Sequence, residues 1–371
     1  MYKKKMLIKL CLILFLLLNS NILKAQYNTF EFESYHCLDH DFYIEDSLHF
    51  IKMKDSIEEL YFFDFCKEKL NDLPLHVLKD EQIISIRISE MKSLDKLPSI
   101  FYRFKKLKEL FVFRTSMSII SKEISRFPEL ESISLDESPI KNLPNELFQL
   151  KKLKKLELLN VNIFYLSDSV INLINLRELI INTNEEFDLI SLFNSLSKLD
   201  SLKKLTIITP NIVKNINGIE KLKNLEELNI GCKEIDFKKI INSLTENKKL
   251  ISLTLSANNI KIIPKELNIL ENLEELDFSR NSINHIDTLK LKKLKVLKLN
   301  LCDLKKYPTI LNRLTNIEIL QLLGNNVNDI ERIFLNNLKT LYIEMKGLDY
   351  KKQKEFKTRF PNCIIKGSLY K

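Results

Sequence analysis

The chain has 371 residues, 45% of them hydrophobic and 29% charged, enough apolar content to bury a large core and to exclude a disordered chain. With only 5 Gly and 9 Pro, collagen-like and low-complexity readings fall away, and so does a glycine-rich phosphate-binding loop. The formal charge is +9, from 58 Lys and Arg against 49 Asp and Glu, and the 5 His leave little material for metal or acid–base chemistry.

Residues 1–25 hold five lysines and no acidic residue. Lys3, Lys4 and Lys5 form a basic head, Met6 to Leu18 is an apolar run broken only by Lys9, and Ala25 precedes Gln26. This is the layout of a secretory signal peptide, cleaved after Ala25, with an uncleaved membrane tether as the alternative. The apolar run is shorter than the roughly 20 residues that a spanning helix needs. Without this segment the balance is 53 basic against 49 acidic residues, or +4, which gives no basis for nucleic-acid or membrane-surface binding. The expected compartment is the periplasm or the exterior of a bacterial cell. Five cysteines follow the segment, at wide and irregular spacings unlike a disulfide-dense scaffold.

Residues 26–56 carry Phe30, Phe32, Tyr35, Phe42, Tyr43 and Phe50 outside any period and are expected to form an N-terminal cap. From residue 57 to 348 the chain repeats. Leu107, Leu110 and Val112 open one copy, Leu130 and Leu135 the next, and Leu153, Leu156 and Leu158 another, at a period of 23 residues. Further copies open at Leu176, Leu202, Leu225, Leu250, Leu273, Leu294, Ile317 and Leu338, with looser ones at Ile57 and Ile83. The alternating Leu-x-Leu segment reads as a short strand that cannot bury its apolar face alone, so neighbouring copies stack in parallel around one core. Copies with Leu73-Pro74, Leu97-Pro98, Leu143-Pro144 or Tyr307-Pro308 are expected to carry 3₁₀ or irregular segments. Phe187–Leu199 and Phe237–Leu244 have helical spacing. Residues 349–371 are expected to form a C-terminal cap, with a basic helix over Lys351–Phe360 and a last strand over Pro361–Ile365.

Residues 250–264 read Leu-Ile-Ser-Leu-Thr-Leu-Ser-Ala-Asn-Asn-Ile-Lys-Ile-Ile-Pro, and Leu273–Ile283 repeats the pattern with Asn281 at the polar place. These segments resemble leucine-rich repeats of the form L-x-x-L-x-L-x-x-N-x-L with a following L-P-x-x-L-x-x-L. The resemblance covers roughly residues 57–348, in 12 or 13 copies. It implies an α/β solenoid, a curved horseshoe with a parallel sheet on its concave face and a mixed 3₁₀, helical and irregular convex side. The polar place is read as Asn184, Asn258, Asn281 and Asn325, with Thr115, Ser138, Val161, Pro210, Lys233 and Cys302 elsewhere. Irregularity is expected around Val161 and Pro210, where no side-chain amide can serve the bend.

The resemblance also implies non-catalytic protein–protein recognition through the concave face. The first outward position of each strand runs Tyr61, Arg87, Phe111, Ser134, Glu157, Ile180, Thr206, Asn229, Thr254, Asp277, Lys298, Gln321 and Tyr342. Tyr61, Phe63, Phe111 and Phe113 thus point outward near Arg87 and Arg114, and aromatic residues and Arg are the types enriched at binding hot spots. The competing reading is that the N-terminal cap covers this patch. The partner expected is a protein; a carbohydrate or peptide receptor using the same rings is the alternative, and an enzyme with an unrecognised site the least motivated one. His36, Cys37 and His40 are capable of metal binding, but no second cluster completes a site, and no cofactor or metal is expected. Lysine runs alternate with Glu pairs at the strand entrances, which reads as a solvated edge. His285 has no nucleophile arranged beside it, and Cys232 and Cys302 read as small buried residues.

Overall fold

The computed structural model describes residues 29–33, 58–63, 79–210, 212–213, 216–344 and 349–367, with side chains for all but 29–33, 61–63 and 212. The expected signal peptide, Leu73-Pro74 and nearly all of the expected N-terminal cap lie outside these residues.

Fifteen strands form one sheet whose spatial order is their chain order. They are β1 Thr29–Glu33, β2 Glu59–Phe63, β3 Ser85–Ser89, β4 Glu109–Phe113, β5 Ser132–Asp136, β6 Lys155–Val161, β7 Glu178–Thr183 and β8 Lys204–Ile208. Then follow β9 Glu227–Gly231, β10 Ser252–Thr254, β11 Glu275–Asp277, β12 Val296–Lys298, β13 Ile319–Gln321, β14 Thr340–Tyr342 and β15 Ile364–Lys366. Each pair is parallel. Parallel neighbours need a crossover, and here each crossover is the rest of one copy, laid along the convex side. Leu153, Leu156 and Leu158 are fully buried, as are their counterparts Leu253, Leu255 and Leu273, so one apolar column runs through the stack. Each such side chain contributes roughly 1.5–3 kcal/mol by leaving water.

The convex side follows the sequence closely. Pro98, Pro144, Pro264 and Pro308 each precede a 3₁₀ turn. Helix α1 spans Leu189–Leu196, with Asp188 accepting from the Ser191 N–H. Helix α2 spans Phe237–Ser243, with Asp236 accepting from the Lys239 N–H. At the far end, α3 spans Tyr350–Arg359 and buries Phe356 and Phe360. Arg359 lies 4.3 Å from the Phe334 ring centroid and donates to the carbonyls of Glu331 and Ile333, fastening the helix to the last copy. At the strand entrances, Lys154–Glu131, Lys203–Glu226, Lys295–Glu274 and Lys339–Glu318 pair across neighbouring copies at 2.6–2.7 Å. These pairs are largely solvated, so each is worth about 0–1 kcal/mol and serves register more than stability.

The bend after each strand is where the sequence pattern and the structure part. Asn281 is buried. Its amide donates to the carbonyls of Leu255 and Phe278 and accepts from the N–H groups of Asn258 and Ile260 in the preceding copy. Asn325 does the same for Leu299, Leu322, Cys302 and Leu304. Thr115 and Ser138 fill the place with linked hydroxyls 2.9 Å apart. Asn184, Pro210 and Lys233, however, are exposed, and Thr183, Thr209 and Cys232 occupy the buried place one residue earlier.

The reason is a residue that three copies omit. In most copies the strand is followed by one left-handed residue: Glu90, Arg114, Glu137, Asn160, Ala257, Arg280, Leu301 and Gly324 all have positive φ. None is β-branched, because a branched side chain clashes with the backbone there. In the copies of β7 and β8 this residue would be Thr183 or Thr209. The chain drops the left-handed step instead and turns the threonine inward. The Thr183 hydroxyl then donates to the Ile163 carbonyl at 2.6 Å and accepts from the Glu185 N–H. The adjustment appears as a register shift between Leu159 and Val161, against Asn182 and Thr183 of β7. The irregularity expected at Val161 is therefore real, and it comes from the change of bend type as well as from the missing amide. Cys232 continues the shorter bend, giving its N–H and thiol to the Asn258 side-chain Oδ1 at 2.8 and 2.9 Å.

Two outcomes follow. Asn281→Ala should lose about 2–4 kcal/mol in urea unfolding, since it orphans backbone groups at a buried bend, whereas Asn184→Ala should change stability by less than about 0.5 kcal/mol. The thiols of Cys232, Cys302 and Cys363 are buried and pushed upward by burial, Cys302 to about 11. At pH 8 a thiol reagent read residue by residue in a mass spectrometer should leave all three unlabelled until denaturant is added.

Candidate functional site

The thirteen first-row positions expected from Tyr61 to Tyr342 lie in a single line across the sheet. Tyr61 pairs with Arg87, Arg87 with Phe111 and Phe111 with Ser134, and the line continues through Asn229 and Asp277 to Gln321 and Tyr342. The second row runs Phe63, Ser89, Phe113, Asp136 and Leu159. Alternation along each strand puts both rows on one face, opposite the buried leucines.

Phe111 and Phe113 stand two residues apart on β4, so they share that face, and both are half-buried. Their ring centroids are 6.2 Å apart at an interplanar angle of 32°. The Arg87 guanidinium carbon lies 5.8 Å from the Phe111 centroid, and that of Arg114 lies 4.6 Å from the Phe113 centroid. The structure thus brings four of the six expected residues together. It places Tyr61 and Phe63 beside them through backbone pairing alone, since those two side chains lie outside the described ones.

Carboxylates hold both arginines. Arg87 reaches Glu109 at 3.5 Å. Arg114 makes a bidentate contact with Glu137, at 2.5 and 3.2 Å, and meets Glu90 at 2.9 Å. Glu90, Arg114 and Glu137 are the left-handed residues of three successive bends, so the backbone delivers a minus–plus–minus row along the rim of the face. Its hydrogen bonds to the two glutamates raise the Arg114 pKa further, and it is a permanent cation. Exposed pairs of this kind add little stability. Their effect is geometric: they hold the guanidinium over the Phe113 ring. Asp136, beside them, accepts from the Asn160 amide at 3.1 Å, and burial pushes its carboxyl above the usual range.

The two clamping glutamates are absent from the sequence-level list. The signal was present as Glu90, Arg114 and Glu137 at copy-length spacing, but only the left-handed bend reveals that these positions touch. As for a cap over the patch, β1 continues the sheet beside β2, with Glu31 opposite Tyr61; the rest of residues 26–56, including His36, Cys37 and His40, lies outside the described residues.

Elsewhere, His285 is exposed and its Nε2 lies 2.9 Å from Asp287, whose carboxyl it holds low. Among the described residues there is no group of three or more His, Cys, Asp or Glu placed to hold a metal ion. No helix among the described residues is long and apolar enough to cross a membrane.

No protein-family model and no curated protein sequence matches the chain. Solved structures do. An internalin of Listeria monocytogenes (InlF) is similar with a TM-score of 0.54 and 18% identity, over 78% of this chain and 88% of that one. A leucine-rich-repeat protein of Leptospira interrogans gives a TM-score of 0.43 and 20% identity, over 84% of this chain and 90% of that one. The plant peptide hormone receptor RGFR1, solved in complex with RGF2, gives 0.47 and 15%, over 82% of this chain and 56% of that one. The likeness to the internalin, together with the stacked parallel strands and the polar column beneath their bends, shows that this chain has the leucine-rich-repeat fold.

Proposed function

We propose that the chain is a non-catalytic recognition scaffold that works outside the cytoplasm and binds a protein partner on its concave face. Residues 1–25 are read as its signal peptide, 26–56 and 349–371 as the caps of the stack, and 57–348 as the repeats. The observation that carries the reading is the pair of half-exposed rings, Phe111 and Phe113, each under a guanidinium already fixed by carboxylates. Folding has already restricted these side chains, so a partner gains their contact area without ordering them. Arg, Phe and Tyr are also the residues that interfaces concentrate at their centres.

The carboxylates of Glu90, Asp136 and Glu137 beside the rings favour a second reading. An aromatic face flanked by acceptors also suits a sugar, whose ring stacks while its hydroxyls donate.

The test is affinity capture by the full chain from bacterial-envelope and host-surface extracts, read by mass spectrometry, with a Phe111→Ser/Phe113→Ser variant in parallel. A protein held by the wild type and lost by the variant supports the proposal, with each ring expected to contribute about 2 kcal/mol or more. A partner held equally by both overturns the role of the rings. A rise in melting temperature with neutral or acidic glycans, abolished in the same variant, moves the reading to the sugar.

A further inference from the structure

On the basis of the recognition reading above, we infer that Asp136 is a specificity-determining residue of the aromatic patch and that it selects a basic side chain, a lysine or an arginine, on the protein partner. The rings set the place of contact; the carboxylate beside them sets its chemistry.

Charge around the patch is biased. Arg87 pairs with Glu109, Arg114 with Glu90 and Glu137, and Lys155 with Glu157 and Glu178. With Asp136, these are the charged groups at the outward and rim positions from β3 to β7, six carboxylates against three cations. The chain as a whole has the opposite sign, at +9. A locally acidic face on a basic protein draws a cation and turns away an anion.

Asp136 differs from the other five carboxylates in having no cation at ion-pair distance among the described residues. It is half-buried, accepts from the Asn160 amide at 3.1 Å, and is held further by the Glu137 N–H. Both donors are neutral. Arg114 acts on it from farther off, but that charge is matched by Glu90 and Glu137. Burial outweighs these contacts and leaves the carboxyl above its usual range. Taking a carboxylate out of water costs free energy that neutral donors return only in part. A cation returns more, through a charge-assisted hydrogen bond about twice as strong as a neutral one.

The fold places this carboxylate against the rings. In the second row Asp136 is the pairing partner of Phe113 on β4 and of Leu159 on β6. Neighbouring strands are about 4.8 Å apart, so one strand separates the carboxylate from the ring. Ser134, two residues earlier on the same face and opposite Phe111, is buried, and its hydroxyl bonds nothing, so it supplies Asp136 with no donor.

These features specify the occupant. Lysine and arginine carry a long apolar stem below a charged head. The stem lies along Phe111 and Phe113 while the head meets Asp136, and the ring faces attract the same charge. A sugar hydroxyl donates to the same carboxylate but, being neutral, returns less of its desolvation cost. A metal ion would need several convergent ligands, and among the described residues no three His, Cys, Asp or Glu come together to hold one.

The experiment pans a phage library of random decapeptides on the immobilised full chain, keeps the peptides lost with Phe111→Ser/Phe113→Ser, and measures them by fluorescence anisotropy. The expected peptides share a lysine or arginine beside an apolar residue. Acetylating that lysine, or replacing that arginine with citrulline, should weaken binding to the wild type at least about tenfold, and should change binding to Asp136→Asn by less than about twofold. Loss of discrimination reads the charge contact itself, which a merely structural role would not move. Asp136→Asn keeps an oxygen for the Asn160 amide, and its melting temperature checks its fold; the modified peptides test the wild type whatever the variant does. Ring-dependent peptides that share no basic residue, that tolerate its neutralisation, or that discriminate equally on Asp136→Asn would overturn the inference and leave the recognition reading standing. The absence of any ring-dependent peptide would overturn it together with the role of the rings.

Discussion

Beneath the described bends from β4 to β13 lies a buried column in which the backbone still carries N–H and C=O groups that must be paired. A buried amide left unpaired costs on the order of 1–3 kcal/mol, and the penalty would recur at every copy. In most described copies one polar side chain removes it; the copies with Met91 and Val161 at this place have none. Asn258, Asn281 and Asn325 suit the place because a single amide both donates and accepts, so each can serve carbonyls and N–H groups of two copies at once. Thr115, Ser138 and Thr183 do it with less, using one hydroxyl and shorter reach. The column is not needed at every copy, since the first concave row keeps its register across Arg87 and Glu157, whose bends hold Met91 and Val161.

The same constraint explains what was legible in the sequence and what was not. The apolar period reports burial directly, so copy boundaries, the convex helices over Leu189–Leu196 and Phe237–Ser243, and the first concave row could be read residue by residue. The polar place could not be read in the middle copies. The spacing from Leu179 and Ile181 to Asn184 equals that from Leu253 and Leu255 to Asn258, yet one bend contains a left-handed residue and the other does not. Counting cannot separate them; conformational preference can. Thr183 and Thr209 are β-branched and resist positive φ, while Ala257 and Arg280 accept it at modest cost. The aromatic patch shows a similar division. Its rings and arginines followed from alternation, but Glu90 and Glu137 did not, because their approach to Arg114 is made by the bend and not by the strand.

The concave face is consequently not uniform. Along the described strands charged groups pair across neighbouring copies, as Arg114 does with Glu90 and Glu137, Lys204 with Glu227 and Lys298 with Glu275. In the middle only the rim changes: the left-handed residue is missing after β7, β8 and β9 and returns as Ala257 after β10. The change is one of backbone geometry: once Thr183 turns inward, the residue that would have carried a rim side chain is gone.

Arg114 illustrates how much of such a surface is fixed before a partner arrives. A guanidinium has five N–H donors, and here Nε, one on Nη1 and one on Nη2 are taken by Glu137 and Glu90. An arginine committed this far has little left to offer a ligand as a charge, and its positive charge is matched by two carboxylates within 3 Å of it. What it offers is position. It covers one face of Phe113, holds the ring at a set tilt to Phe111, and leaves the other surface of both rings to be buried by contact. The interaction free energy of the clamp is small in water, but the rotamer entropy it removes, on the order of 0.5–1.5 kcal/mol for each side chain, is then no longer charged against binding. On the recognition reading proposed above, the ionic row along the rim therefore serves position more than stability.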